Sequence, residues 1–241
     1  MRLDKYLCDN QIGSRSEVKA YIKKGFVTVN GKIADDSGMN INPKVDSILY
    51  QGKSVESSDA ESGVYALYKP SGYVCSRDEN DGIPVYDLLP ESIRNRYSCV
   101  GRLDKDTTGL LLFTDNGELL HNLISPKRHV EKTYYVRCEK EVTEDDMVRL
   151  SEGVSLGDEE YSLPARCEYS GNEKNEILLT IREGKYHQIK RMLKATCNKV
   201  TSLHRVSFGN LSVTDLKLKE GEGRFLNSEE TKILKAGLER K

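Results

Sequence analysis

The sequence predicts an α+β chain in two parts: a small helix-plus-hairpin unit, then a larger body built on a mainly antiparallel sheet with flanking helices. Three observations lead there. Strand-like and helix-like stretches alternate without a regular period, which argues against a doubly wound parallel sheet. The stretch from Gly52 to Gly63 is polar and serine-rich (Ser54, Ser57, Ser58, Ser62) and separates residues 1–56 from 63–241, so 57–62 reads as a flexible tether. Apolar residues make up 37% of the 241 and charged ones 31%, enough for a core in each part. No run of about 18 uncharged apolar residues offers a membrane span.

In the first part, Leu3, Tyr6 and Leu7 have the i, i+3, i+4 spacing of a short helix. Ser14-Arg15-Ser16-Glu17 is a capping box for a second helix, with Val18 and Ile22 on its buried side and Gly25 placed to end it. Phe26 to Val29 reads as a strand, Asn30-Gly31 as a tight turn, and Lys32 to Ala34 as the return. Val45 to Tyr50 supplies another strand. Arg15, Lys19 and Lys23 fall at four-residue steps on one helix face, and Arg2 extends that basic surface. Such a cluster suits phosphate contacts, which orient a nucleic acid without reading its sequence.

In the larger part, Tyr65 to Tyr68 is strand-like and Lys69-Pro70-Ser71-Gly72 a turn. Leu110 to Thr114 is a buried strand closed by Asp115-Asn116-Gly117, and Glu118 to Ile124 a helix stopping before Pro126. Thr133 to Cys138 is a strand. Thr143 caps a helix to about Leu150 whose acidic first turn suits the helix dipole. Ile177 to Arg182 is a strand, Tyr186 to Thr196 an amphipathic helix, and Glu229 to Arg240 a terminal helix.

The net charge is −1, but its distribution is uneven. From Arg182 to Arg205 there are seven basic residues (Arg182, Lys185, Lys190, Arg191, Lys194, Lys199, Arg205) against the single acid Glu183. Acids gather elsewhere, at Glu139 to Asp146 and Glu152 to Glu160. One basic face on a neutral chain is the electrostatic footprint of a nucleic-acid binder. Six scattered cysteines without a C-x-x-C pair argue against a zinc site or a disulfide framework, and for reduced thiols in the cytoplasm. The four histidines (His121, His129, His187, His204) could suggest a metal or a histidine base, but they match no ligand spacing, so no metal is expected.

Gly101-Arg102-Leu103-Asp104-Lys105-Asp106-Thr107-Thr108-Gly109 carries the most chemical information. It is a polar turn between two apolar stretches, Ser98 to Val100 and Leu110 to Phe113, so Asp104 rides on a tightly anchored loop. Arg102 and Lys105 would favour its ionised form. Asp106 is a second carboxylate, as glycoside hydrolysis would need. The nonapeptide resembles the active-site loop of pseudouridine synthases, in the branch typified by the small-subunit rRNA enzyme RsuA. Glu131-Lys132-Thr133-Tyr134, the basic stretch Glu183 to Met192, and Lys69-Pro70-Ser71-Gly72-Tyr73-Val74 resemble further segments of that family, in the same order. Residues 1–56 resemble the RNA-binding unit named for ribosomal protein S-four.

The resemblance implies an active site in a cleft across the sheet and a cofactor-free isomerisation of uridine to pseudouridine. It implies Asp104 as the reacting carboxylate and Lys190 as its ionic partner in a dry pocket. Tyr134 is then stacked on the uracil, and Ile189 closes the other side of the base. Arg102 would fill the space left by the extruded uridine. Lys185 and Arg191, with Arg2, Arg15, Lys19 and Lys23, are expected RNA contacts. The implied partner is ribosomal RNA, 16S at the position usually numbered 516, or an assembling particle. Large-subunit (23S) relatives share the motifs, and a non-catalytic assembly factor is the other alternative.

Overall fold

In a computed structural model the described residues are 1–10, 12–43, 45–55 and 63–238. The proposed tether 57–62 and the end of the expected terminal helix at Arg240 lie outside them. The chain divides into two units, Met1–Ser62 with Glu91–Arg96, and Gly63–Pro90 with Tyr97–Lys241. The segment Glu91–Arg96 lies within the larger part in the sequence reading but groups with the first unit.

The first unit follows its local signals closely. Helix α1 (Leu3–Asp9) precedes α2 (Arg15–Lys23), which starts at a reciprocal cap. The Glu17 N–H donates to Ser14 Oγ at 3.4 Å, and the Ser14 N–H to Glu17 Oε2 at 2.8 Å. Gly25, at φ +74°, ends the helix in the left-handed region. Strand β1 (Val27–Val29) turns through Asn30 and Gly31, both at positive φ, into β2 (Lys32–Ile33). With β3 (Ile48–Tyr50) and β4 (Lys53–Ser54) the order is β2-β1-β3-β4. Leu3, Leu7, Val18, Ile22, Val27 and Ile48 form the buried centre. The strand expected from Val45 starts only at Ile48. The Val45 and Asp46 N–H groups both donate to the Asn42 carbonyl, a turn that leaves Val45 78% exposed.

In the second unit β5 (Val64–Lys69), β6 (Tyr73–Val74) and β7 (Ile83–Pro84) come first, with α3 (Glu91–Arg94) grouped in the other unit. Then come β8 (Ser98–Cys99), β9 (Thr108–Thr114), α4 (Gly117–Ile124), β10 (Lys132–Cys138) and α5 (Glu144–Glu152). A hairpin of β11 (Ser155–Gly157) and β12 (Glu160–Tyr161) leads to β13 (Arg166–Tyr169), β14 (Glu176–Ile181) and α6 (Gln188–Ala195). Strands β15 (Val200–Phe208) and β16 (Leu211–Ser212), helix α7 (Val213–Leu216), β17 (Gly223–Phe225) and α8 (Ser228–Ala236) complete it. The main sheet runs β13-β14-β10-β15-β9-β5-β17, with β8 on β9 and β16 on β15. Its neighbours are antiparallel except β9 and β15.

Strand β9 is buried on both faces because its apolar run leaves no polar side for solvent. Leu110 and Leu112 pack with Val64, Ala66, Leu119, Leu123 and Phe208, while Phe113 meets the Tyr86 ring edge-on at 5.7 Å. Asn116 caps α4 through the Glu118 and Leu119 N–H groups, and Thr143 with Asp146 forms a capping box at α5. Helix α6 begins at Gln188, two residues later than the sequence suggests, because His187 sits at φ +47° and forces a left-handed corner. Among the described residues no helix is long and apolar enough to cross a membrane.

Candidate active site

The loop before β9 is held from beneath by one buried cation. Lys69 ends β5, and its side chain is wholly buried although a lysine in that setting is costly. Its ammonium donates to the carbonyls of Thr107 (2.8 Å), Pro70 (3.0 Å), Asp104 (3.2 Å) and Lys105 (3.3 Å). Three protons are therefore shared among four acceptors, three of them in the Asp104 loop. Burial lowers the Lys69 pKa from its ordinary value. Cys75 lies close by: it accepts a hydrogen bond from the Cys99 thiol and another from the Leu103 N–H at 3.4 Å. These bonds, with Lys69 and Arg205 adding their charge, push the Cys75 thiol well below the usual range despite its burial. The loop is thus held in position by a residue that does not line the cleft.

Above the loop, α6 and the residue that caps it supply the groups that meet Asp104. Lys190 Nζ lies 3.1 Å from Asp104 Oδ2, and His187 Nε2 lies 3.7 Å from Asp104 Oδ1. Lys190 also donates to both carboxylate oxygens of Asp106, at 2.6 and 2.9 Å. Desolvation opposes the lysine charge, but the hydrogen bonds to Asp106 and then Asp104 outweigh it and raise the Lys190 pKa. Asp106 is likewise held below its ordinary value, because the hydrogen bond and charge of Lys190 overcome its desolvation. Arg102 and Lys105, the sequence neighbours expected to keep Asp104 ionised, are both exposed, and the cation at its carboxylate is Lys190 of α6 instead.

Asp104, Tyr134, Ile189, Lys190, Arg102 and Lys185 border one cleft of about 70 Å³. Tyr134 enters it from β10, where a register shift against β15 between Thr133 and Tyr134 re-aims the strand. Tyr134 and Ile189 are buried, and Ile181 and Leu203 add apolar wall. The site is wetter than the dry pocket expected: the Asp104 side chain is 26% exposed.

The other proposed RNA contacts separate into two groups. Arg15, Lys19 and Lys23 are exposed along α2 as their spacing requires, while Arg2 forks onto Asp4 at 2.8 and 3.0 Å. Lys185 and Arg191 have partners inside the protein. Glu160 at the hairpin pairs with Arg191 at 2.8 Å and with Lys185 at 3.6 Å. Arg191 also donates to the Leu156 carbonyl, and Lys185 to that of Tyr161. Both cations therefore brace the β11–β12 hairpin, which limits them as free phosphate ligands.

Sequence reasoning missed Lys69 and His187. Lysine at the end of an apolar strand, opposite Gly109 in the β5–β9 register, was the available signal for the first. His187 was weighed only as a metal ligand or base, and no spacing rule foretells its left-handed corner.

A carboxylate paired with a lysine, beside a buried tyrosine in a cleft across a mixed sheet, defines a class that comparison with known proteins identifies. Residues 63–195 match the family model described as RNA pseudouridylate synthase, and residues 1–46 match the S4 domain. The chain belongs to the RNA pseudouridylate synthase family and carries an S4 RNA-binding domain; it is an enzyme that isomerises uridine in RNA. It is 41% identical to the RNA pseudouridine synthase YtzG of Bacillus subtilis, over 97% of this chain and 98% of that one. Identity to ribosomal small subunit pseudouridine synthase A of Vibrio vulnificus is 40%, covering 95% and 97%. A crystal structure of a pseudouridylate synthase superposes with a TM-score of 0.70 at 37% identity, covering 97% of this chain and 99% of that one.

Proposed function

We propose that this enzyme converts one uridine of 16S ribosomal RNA, at the position usually numbered 516, to pseudouridine, using Asp104 and no cofactor. The 3.1 Å contact between Lys190 and Asp104 in the cleft that Tyr134 borders is the observation that carries the reading. Similarity over nearly the whole length to small-subunit synthases supports the 16S target.

Pseudouridine is an isomer of uridine, so every atom of the substrate is retained and no oxidant, reductant or group donor enters. The enzyme must break the bond from ribose to uracil nitrogen 1, hold the free base while it turns, and join carbon 5 to the sugar. Asp104 acts at the sugar, whether it attacks carbon or removes a proton; both routes require the anion. Lys190 stabilises that anion as a nearby opposite charge. Tyr134 stacks on the uracil and its hydroxyl assists proton loss from carbon 5, while Ile189 closes the opposite face. A uridine in folded RNA must leave its stack, at a cost of a few kcal/mol. Arg102 occupies the vacated place with its planar guanidinium. Arg15, Lys19 and Lys23 of the S4 domain orient the RNA through its phosphates.

Incubating the purified protein with 16S and 23S transcripts, then mapping pseudouridine chemically, tests the target. One new pseudouridine at 516 is expected; a product confined to 23S RNA, or none on either, would overturn the assignment. The shared lysine gives a second expectation. Lys190→Met leaves two carboxylates without their cation and should lower single-turnover rates by about 10²–10³-fold. Asp106→Asn, at a side chain 68% exposed, should stay within a few-fold of wild type. Equal losses in the two variants would show that Asp106 is the acting carboxylate.

A further inference from the structure

Beside the catalytic cleft lies an open groove lined by Asp158, Glu159, Glu160, Tyr186, His187 and Arg191, and His187 borders both. Tyr186 is 69% exposed, the most solvent-open tyrosine among the described residues, yet its ring is ordered against a partner. It stacks on the His187 imidazole with ring centroids 3.9 Å apart and planes 16° from parallel. His187 in turn reaches to 3.7 Å from Asp104 Oδ1. We propose that the Tyr186–His187 stack is a binding platform for a nucleobase, that of the nucleotide next to the target uridine. The inference rests on the RNA-modifying reading above and extends it to how the neighbouring sequence is held.

The platform is built rather than accidental. His187 adopts φ +47° and ψ 35°, a left-handed conformation unfavourable for a residue with a Cβ. Such strain persists only where surrounding bonds over-determine it, and it gathers at functional sites. Here the bonds are explicit. Buried Glu183 accepts from Gln188 Nε2 at 2.7 Å and from the Leu163 N–H at 2.8 Å, and Gln188 Oε1 accepts from the Lys185 N–H at 2.9 Å. The Tyr186 carbonyl is taken by Arg191 Nη1 at 3.2 Å. The loop from Glu183 to Gln188 is thereby fixed at both ends, with the aromatic pair displayed between them.

The chemistry of the groove favours a base over a phosphate. Arg191, which lines it, and Lys185 nearby are both engaged by Glu160, and Asp158 and Glu159 stand at the hairpin tip where they repel an anion. A neutral aromatic ring escapes that repulsion, and every nucleobase presents a face to stack. With one face of Tyr186 covered by His187, the exposed remainder offers room for one more ring. Because His187 belongs to both clefts, a base continuing that stack lies one step along the chain from a uridine whose sugar meets Asp104.

The test uses the full chain and short single-stranded RNAs of about ten nucleotides holding one uridine, with 2-aminopurine on its 5′ or its 3′ side. Stacking quenches 2-aminopurine fluorescence whether or not the uridine is converted. Quenching on one side, lost in Tyr186→Ala and kept in Tyr186→Phe, is the expected result. With mapped rRNA substrate, Tyr186→Ala should raise the half-saturating RNA concentration about tenfold to a hundredfold at a little-changed maximal rate. An abasic neighbour should impose the same loss on the wild type, and combining the two should add little. Quenching equal in wild type and Tyr186→Ala, a Phe variant as weak as Ala, or fully additive losses would each overturn the platform. Failure of the 16S assignment would show separately, as a wild-type pseudouridine map on other RNA with Tyr186-dependent quenching intact.

Discussion

Asp104→Asn should reduce pseudouridine formation by at least about 10³-fold while leaving RNA affinity within a few-fold of wild type. The substitution is nearly isosteric and removes a negative charge that makes few structural contacts. The Asp104 backbone carbonyl, which Lys69 holds at 3.2 Å, is untouched, so the loop keeps its place. What disappears is the anion at the sugar. Lys190 retains Asp106 at 2.6 Å, so it is not left unpaired and the fold should not suffer. Single-turnover release of tritium from carbon-5-labelled uridine, alongside filter binding, separates the two effects. Turnover within tenfold of wild type would remove Asp104 from the chemistry.

The contrast between Asp104 and its supports explains what the sequence could and could not disclose. Capping boxes at Ser14 and Thr143, the Asn30-Gly31 turn and the all-apolar run of β9 are local devices, so they can be read one window at a time. Asp104, Tyr134 and Lys190 were legible through motif order, and the structure brings all three to one cleft. Strand β15 escaped notice although it lies at the middle of the sheet. Its Arg205 counts in the basic stretch from Arg182, and its His204 among the scattered histidines, because a charge at a strand centre ordinarily means solvent. Arg205 is in fact buried: its Nε donates to the Leu110 carbonyl at 2.6 Å, and its guanidinium lies 5.3 Å from the Phe208 ring centre. Lys69 reads as the first residue of a turn rather than as a buried cation. In both cases the partner that makes a buried cation tolerable is a backbone carbonyl about 35 or more residues distant, and carbonyls leave no mark in a sequence.

Gly109→Ala should lower stability by about 3 kcal/mol or more, because two independent costs fall on one methyl group. Gly109 sits at φ +110°, a backbone region that L side chains rarely adopt. It is also where β9 meets β15 in their one parallel contact, opposite Arg205. A Cβ there would stand 2.3 Å from the Arg205 carbonyl oxygen and 2.6 Å from its nitrogen. The obstacle is backbone in a central strand, so no side chain can swing aside to relieve it. Separating the strands would stretch the bond from Arg205 to Leu110 and strand a buried guanidinium. For a unit of this size the melting temperature should fall by roughly 6–12 °C. Gly101→Ala is the matched control in the same loop: its φ is +73° but nothing lies within 4 Å of the added atom. Conformational strain alone acts there, and a loss of about 1 kcal/mol is expected. Thermal unfolding followed by circular dichroism decides the matter, and equal shifts for the two variants would mean that strand contact contributes nothing. A larger loss at Gly109 would tie the spacing between the aspartate and that glycine to the sheet itself, since the five residues from Asp104 span the distance from the cleft to the β9–β15 junction.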